Sequence, residues 1–201
     1  NTVKPETMLN PNICATYNNS IKNIIDESLI KIEGIFDEVN DTNKAISMIG
    51  SIDGEVFLKN NQLKNEVFGP FSLIVKCKNI EEINKVILSI GGQLTGSIFA
   101  DEIELKSISN TIDLLKLKVG RIIYNGVPTG VEVCTSMHHG GPFPSSSDSR
   151  FTAVGSDAIK RFARPISYQS FPQDMLPDEL KDENPLNILR NVNGTLTKNK
   201  I

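Results

Sequence analysis

The sequence predicts an α/β fold, a doubly wound parallel sheet with helices on its faces. Three observations lead there. Between residues 71 and 125, short runs rich in β-branched and aromatic residues alternate with helical periodicities, in the order strand, helix, strand, helix, strand. Glycines punctuate the series, with Gly91-Gly92 after the first helical stretch and Gly120 after the second. Hydrophobic residues make up 39% of the 201, enough for a packed core and too many for a disordered chain.

The elements follow in order. Residues 1–12 hold Pro5 and Pro11 and no period, which predicts a loop. From Asn12 to Ile32, the residues Tyr17, Ile21, Ile24, Ile25 and Ile32 fall close to helical spacing. Residues 40–65 are polar, and Asp53-Gly54 reads as a turn before a short strand over Glu55–Leu58. Phe71–Cys77 is a strand. Ile80, Ile83, Val86, Ile87 and Ile90 form one apolar helical face. Thr95–Ala100 is a strand, Ile103–Leu117 a helix, and Arg121–Asn125 a strand. A long loop runs from Gly126 to Asp148, and loops of that length are usually functional or disordered. Residues 154–163 read as a short helix with Val154, Ala158, Ile159 and Phe162 facing inward. Arg164-Pro165 ends it, and Ile166–Phe171 alternates like a half-exposed strand. The remainder, 172–201, reads as a surface tail with one short helix near 175–181.

Composition excludes several function classes. The net charge of -3 gives no basic field for nucleic acid or an anionic membrane. No apolar run reaches the roughly 18 residues of a membrane span. The first residue is Asn1, not Met, which suggests a processed chain or a fragment. Cys14, Cys77 and Cys134 are scattered and form no CxxC pair. They read as free thiols of a cytoplasmic protein, not as a disulfide framework or a zinc site.

Few residues carry a chemical signal of their own. His138-His139 are adjacent, so they cannot form the i, i+4 metal pair of a helix, and no metal site is expected. Neither GxGxxG nor GxxxxGK[ST] occurs. Cys134 precedes the histidines closely, but no orienting third group can be named for a Cys–His nucleophile. In a parallel sheet, ligands sit beyond the carboxyl ends of the strands, which directs attention to Asn125 onward. Glu66 is the more interesting acid. A carboxylate can accept two hydrogen bonds from a ribose diol, and the nearby Phe68 can pack on a flat ring. The plain reading is a surface acid in a turn.

Glu66-Val67-Phe68-Gly69-Pro70 resembles the E-[IV]-F-G-P motif of the aldehyde dehydrogenase superfamily. Further segments resemble the family's in its own order: Leu94–Phe99, Gly120–Asn125, and Gly140-Gly141-Pro142-Phe143 at the position of its P-F-G-G loop. Asn125–Cys134, His139–Pro144, Arg161–Ile166 and Pro185-Leu186 are similar to the 2,5-dioxopentanoate (α-ketoglutarate semialdehyde) dehydrogenases and the related NADP-dependent fatty-aldehyde dehydrogenases. The resemblance runs from about Met8 to Gly194. The loop lacks the family's usual lysine.

That resemblance implies a set of roles. In the family, a cysteine thiolate attacks the aldehyde, hydride leaves for NAD or NADP, and water hydrolyses the thioester. By the family's layout the cysteine lies before Met8, so no catalytic residue is assigned within 1–201. Glu66 matches the ribose-binding glutamate and Phe68 the aromatic beside the nicotinamide. Pro128, Gly130 and His139 fall where the family lines its aldehyde tunnel. Residues 1–136 would be the carboxyl-terminal part of the catalytic domain, and 137–163 a loop and helix returning toward the cofactor domain. Residues 164–171 would form an oligomerisation strand of a homo-oligomer, and 172–201 the tail. The expected function is a segment of an enzyme oxidising an aldehyde, a semialdehyde by resemblance, and inactive alone. The other reading is a non-catalytic interaction or oligomerisation module that keeps part of the fold.

Overall fold

The computed structural model describes residues 5–26, 30–35, 43–128, 130 and 132–201. The chain divides into two compact units, residues 1–161 and 162–201.

In the first unit, helix α1 (Pro11–Asp26) starts where Asn10 accepts a hydrogen bond from the Ile13 N–H at 3.0 Å. Pro11 takes the first helical position, where a missing N–H costs nothing. Cys14, Tyr17 and Ile24 are buried along one stripe. The helix does not continue to Ile32. Residues Lys31–Ile35 are strand β1, paired antiparallel with β2 (Met48–Asp53). The expected strand over Glu55–Leu58 is instead helix α2 (Gly54–Lys59), and the strand is the segment just before it. The reason is topological. β2 pairs parallel with β3 (Phe71–Lys76), and a parallel pair needs a crossover, not a hairpin. Phe57 drives α2 into the core beside Ile24, Ile52 and Leu63.

The predicted series then follows. Helix α3 (Ile80–Ser89) is capped by Asn79, whose side chain accepts from the Glu82 N–H at 3.0 Å. The buried Glu82 carboxylate accepts from the Lys78 N–H at 2.6 Å. Strands β4 (Gln93–Ile98) and β5 (Val119–Tyr124) pair parallel. The helix expected between them is two, α4 (Glu102–Ser107) and α5 (Ser109–Lys116), broken at Ile108. The parallel strands do not make one sheet. One ladder has the order β1-β2-β3 and the other is β4-β5. The short helix expected over 154–163 is a 3-10 segment, Ser156–Phe162, and Ile159 and Phe162 stand 68% and 84% exposed instead of facing inward.

The second unit is more ordered than a surface tail. In place of a helix near 175–181 there is a 3-10 turn at Gln173–Met175. Strands β6 (Arg190–Val192) and β7 (Thr195–Thr197) form a hairpin, closed by Asn193-Gly194 with both φ positive. The Arg190 guanidinium donates to the carbonyls of Lys181, Asp182 and Asn199, and buried Asn184 donates to those of Ile188 and Lys198. Residues 164–171 are exposed and join no ladder among the described residues. Ser170 has φ 54, which ends the extended run before Phe171.

Candidate functional site

One cleft gathers the ends of several elements. Lys64, Asn65 and Glu66, leading into β3, form one wall. Gly91 to Thr95, at the start of β4, form the other, with Pro144 and Ser145 beside them. The cleft holds about 410 Å³, within the roughly 300–1,000 Å³ of small-molecule sites.

The first wall is pinned from below. Leu63 is buried and Val67 packs on the same core cluster, so the turn is fixed on both sides of Glu66. Lys64 is tied back, donating to the Leu58 carbonyl at 3.1 Å and to Asn61 at 2.9 Å. Tyr17 holds the next stretch. Its hydroxyl donates to the Ile46 carbonyl at 2.6 Å, and burial, with the Cys14 thiol nearby, pushes its pKa up to about 12. Pro70 accepts from the Met48 N–H at 3.0 Å, which sets the entry to β3. Glu66 itself is exposed, and among the described residues no hydrogen bond or ion pair holds its carboxylate. Phe68 is 63% exposed and lies outside the cleft lining.

The second wall depends on a returning loop. Asn125 ends β5, its side chain accepting from the Ala100 N–H at 3.0 Å and donating to the Ala100 carbonyl at 2.9 Å. The chain then runs back toward the amino ends of the strands. Arg121 donates to the Gly130 carbonyl at 3.2 Å, and the Gly92 N–H donates to Phe143 at 3.1 Å. The Gly140 carbonyl sits where a Cβ on residue 120 would be, so the close approach requires Gly120. His139 is clasped by its backbone. Its N–H donates to Thr152 Oγ1 at 2.8 Å, its carbonyl accepts from the Ala153 N–H at 2.9 Å, and the buried Thr152 hydroxyl donates to Val154 at 2.8 Å.

The structure therefore brings only one of the expected residues to this cleft. Glu66 lines it; Phe68, Pro128, Gly130 and His139 do not. Pro128 and Gly130 are exposed in the loop that follows β5, and neither lines the cleft between Lys64–Glu66 and the start of β4. Gln93 and Thr95 were not singled out from sequence. Their signal was the pair of double glycines, Gly91-Gly92 and Gly140-Gly141, which let two backbones meet.

The cysteines are distributed as small side chains, not as a centre. Cys14 is buried, and burial pushes the Cys77 thiol up. Cys134 is exposed, and hydrogen bonding to Ser136 at 3.4 Å draws its thiol down. Among the described residues no histidine is hydrogen-bonded to it, no cluster of three potential metal ligands occurs, and no helix is long and apolar enough to cross a membrane.

Comparison with known proteins gives these features a context. No family model matches the chain. It is 42% identical over 199 residues to an alpha-ketoglutaric semialdehyde dehydrogenase of Acinetobacter baylyi, covering 98% of this chain and 38% of that protein. The match falls on that relative's carboxyl-terminal part. Among solved structures, it is similar to a salicylaldehyde dehydrogenase from Pseudomonas putida G7 complexed with salicylaldehyde. There the TM-score is 0.56 at 18% identity, over 81% of this chain and 32% of that one. A betaine aldehyde dehydrogenase double mutant from Staphylococcus aureus, in complex with NAD+, aligns with a TM-score of 0.54 at 14% identity, over 78% of this chain and 30% of that one. The match across 98% of this chain and the shared fold agree with the motifs around Glu66 and Asn125: this chain, which spans 38% of that relative's length, belongs to the aldehyde dehydrogenase family.

Proposed function

We propose that the chain is the part of an NAD(P)-dependent aldehyde dehydrogenase that positions the nicotinamide half of the cofactor. The observation that carries this reading is Glu66: an exposed carboxylate, engaged by no described residue, at the wall of a cleft of about 410 Å³. A group with no partner inside the fold is free for a ligand. The two oxygens of a carboxylate can accept from both hydroxyls of a ribose. Gln93, Thr95 and Ser145 add polar groups to the same cleft. Phe68, two residues on and largely exposed, packs beside the nicotinamide ring in this reading, although it stands outside the cleft lining.

Glu66 would hold the ribose of the nicotinamide half, and the cofactor, when bound, would supply a hydride acceptor. The nucleophilic cysteine comes from outside residues 1–201, and the chain alone does not turn over. Pro128, Gly130 and His139 line the aldehyde side in this reading, with His139 held in place by Thr152. The substrate is a semialdehyde, supported by the name of the Acinetobacter baylyi relative. Residues 164–171, exposed and unpaired among the described residues, supply an edge for a second subunit. The cytoplasm is the compartment that suits its free thiols.

The test is Glu66→Gln in the complete enzyme, read by single-turnover hydride transfer. Hydrogen bonds to a charged acceptor contribute about 1.5–3 kcal/mol, so transfer slows roughly ten- to a hundred-fold. The melting temperature stays unchanged, because Glu66 supports nothing in the fold. Early melting with normal hydride transfer overturns the cofactor role.

A further inference from the structure

Among the described residues, three arginines bury an Nε that has no hydrogen-bond partner: Arg121, Arg161 and Arg190. The fold accounts for two of them. Arg190 donates from its terminal nitrogens to the carbonyls of Lys181, Asp182 and Asn199. Arg161 donates to the Phe151 carbonyl and stands close enough to Asp148 to help hold that carboxyl low. Arg121 is different. Its Nη1 donates to the Gly130 carbonyl at 3.2 Å, and among the described residues no other hydrogen bond or ion pair engages it. A guanidinium carries its N–H donors in a planar fork, so most of the hydrogen-bonding capacity of Arg121 is unused. The strand around it is otherwise apolar, with Val119-Gly120 before it and Ile122-Ile123-Tyr124 after it. A half-buried charge with no acid beside it destabilises such a strand, and an orphaned polar group of this kind points to a function outside the fold's own bonding.

The position of Arg121 says which function. It pairs in register with Thr95 of β4, so the two side chains share one face of the ladder. Thr95 lines the cleft with Glu66, and so does Gln93, the register partner of Val119. Arg121 therefore stands one strand beyond the cleft, a step of about 4.8 Å. On its other side it reaches the loop at Gly130. A Cβ at Gly130 would meet nothing within 4 Å, so there is open room beside the bonded carbonyl. The guanidinium thus bridges the cleft of Glu66 and the loop read as the aldehyde side.

We propose that Arg121 binds the carboxylate at the far end of the substrate and so selects semialdehydes over uncharged aldehydes. A semialdehyde is the half-aldehyde of a diacid. With its reacting carbon beside the nicotinamide, its carboxylate lies a few carbons away and needs a cationic partner. A guanidinium suits that place, because its parallel donors match both carboxylate oxygens at once. An uncharged aldehyde of the same length leaves the guanidinium unpaired, which is how a polar site rejects an analogue that lacks the matching group. Arg121 is a specificity residue in this scheme: it touches the substrate away from the reacting atoms and acts on binding. The assignment rests on the reading of the chain as part of an aldehyde dehydrogenase that takes a semialdehyde.

The test compares two aldehydes on the complete enzyme: 5-oxopentanoate, a semialdehyde, and pentanal, an uncharged aldehyde of the same chain length. Arg121→Met removes the charge and keeps much of the side chain's length. The KM for 5-oxopentanoate rises roughly ten- to a hundredfold in this variant, the loss of hydrogen bonds to a charged group. The kcat stays within about threefold, as for an interaction made equally in the ground and transition states. Kinetics with pentanal are unchanged, which also shows that the variant is folded. Arg121→Lys, with the charge but not the fork, recovers part of the affinity. An equal loss with both aldehydes makes Arg121 structural, and an unchanged KM for 5-oxopentanoate removes it from binding; either result overturns the proposal and leaves the enzyme reading standing. Glutarate probes the same contact without turnover, and its Kd by titration calorimetry weakens in Arg121→Met by a similar factor. A complete enzyme that oxidises neither aldehyde with NAD or NADP refutes the enzyme reading, and glutarate then decides alone. Binding that depends on Arg121 keeps the carboxylate site, and binding that ignores it, or no binding, removes the site.

Discussion

The Tyr17 ring lies against Gly69 so closely that a Cβ at position 69 would overlap it. Tyr17 is 1% exposed and anchored through its hydroxyl to Ile46. The contact joins α1 to the turn that carries Glu66, so the glycine of the Glu66–Pro70 motif has a steric reason. Gly69→Ala is expected to cost about 1–3 kcal/mol, the usual range for overpacking. In a chain of this size that lowers the melting temperature by roughly 2–4 °C per kcal/mol. A Tyr17→Leu background should reduce the cost. Thermal melts of the two single variants and the double variant check this, and full additivity would exclude the contact as the cause.

Catalysis by the isolated chain is expected to be absent with either nicotinamide cofactor. Cys134 is the accessible thiol and its pKa is drawn down, while Cys14 is buried and Cys77 is pushed up. Iodoacetamide should label Cys134 first, as read by peptide mass spectrometry, with no activity to lose. Turnover that disappears on alkylation of Cys134 would restore the Cys–His nucleophile.

Acid stability should depend on Glu33. The buried Ser51 hydroxyl donates to it at 2.6 Å, Lys31 and Lys76 add charged donors, and its pKa is held at about 2. The folded value lies below the ordinary 4.5, so the group adds stability above about pH 4.5. That contribution is lost as pH falls through about 2. Glu33→Gln should therefore flatten the pH dependence of the melting temperature across this window and leave the slope above pH 6 alone. An unchanged acid limb would remove Glu33 from the account.

Association should run through residues 164–171. Ile166 is 61% exposed, and Tyr168 and Phe171 meet edge-to-face at 5.3 Å, so an apolar strip is presented outward. Sedimentation should show concentration-dependent self-association, and Ser167→Pro should reduce it by removing a ladder donor. A clean monomer at all concentrations would assign the strip another role.

Much of the first unit was legible because its signals are local. β3, α3, β4 and β5 each carry their own period, and the Glu66–Pro70 motif is contiguous. The hairpin at Asn193-Gly194 is a finding of the structure, since the expectation over 172–201 is a surface tail with one short helix. Other features depend on partners distant in sequence. Helix α2 replaced an expected strand because β2 and β3 pair in parallel and the chain between them must cross a face. Ser145 came to line one cleft with Glu66 and Gln93 only because the loop after Asn125 turns back to β4 and β5, through contacts that tolerate no Cβ at Gly92 and Gly120. Periodicity records which face of an element is apolar. Which surface that face meets, and whether the surface belongs to the same segment of chain, is decided by packing between residues that no local pattern connects.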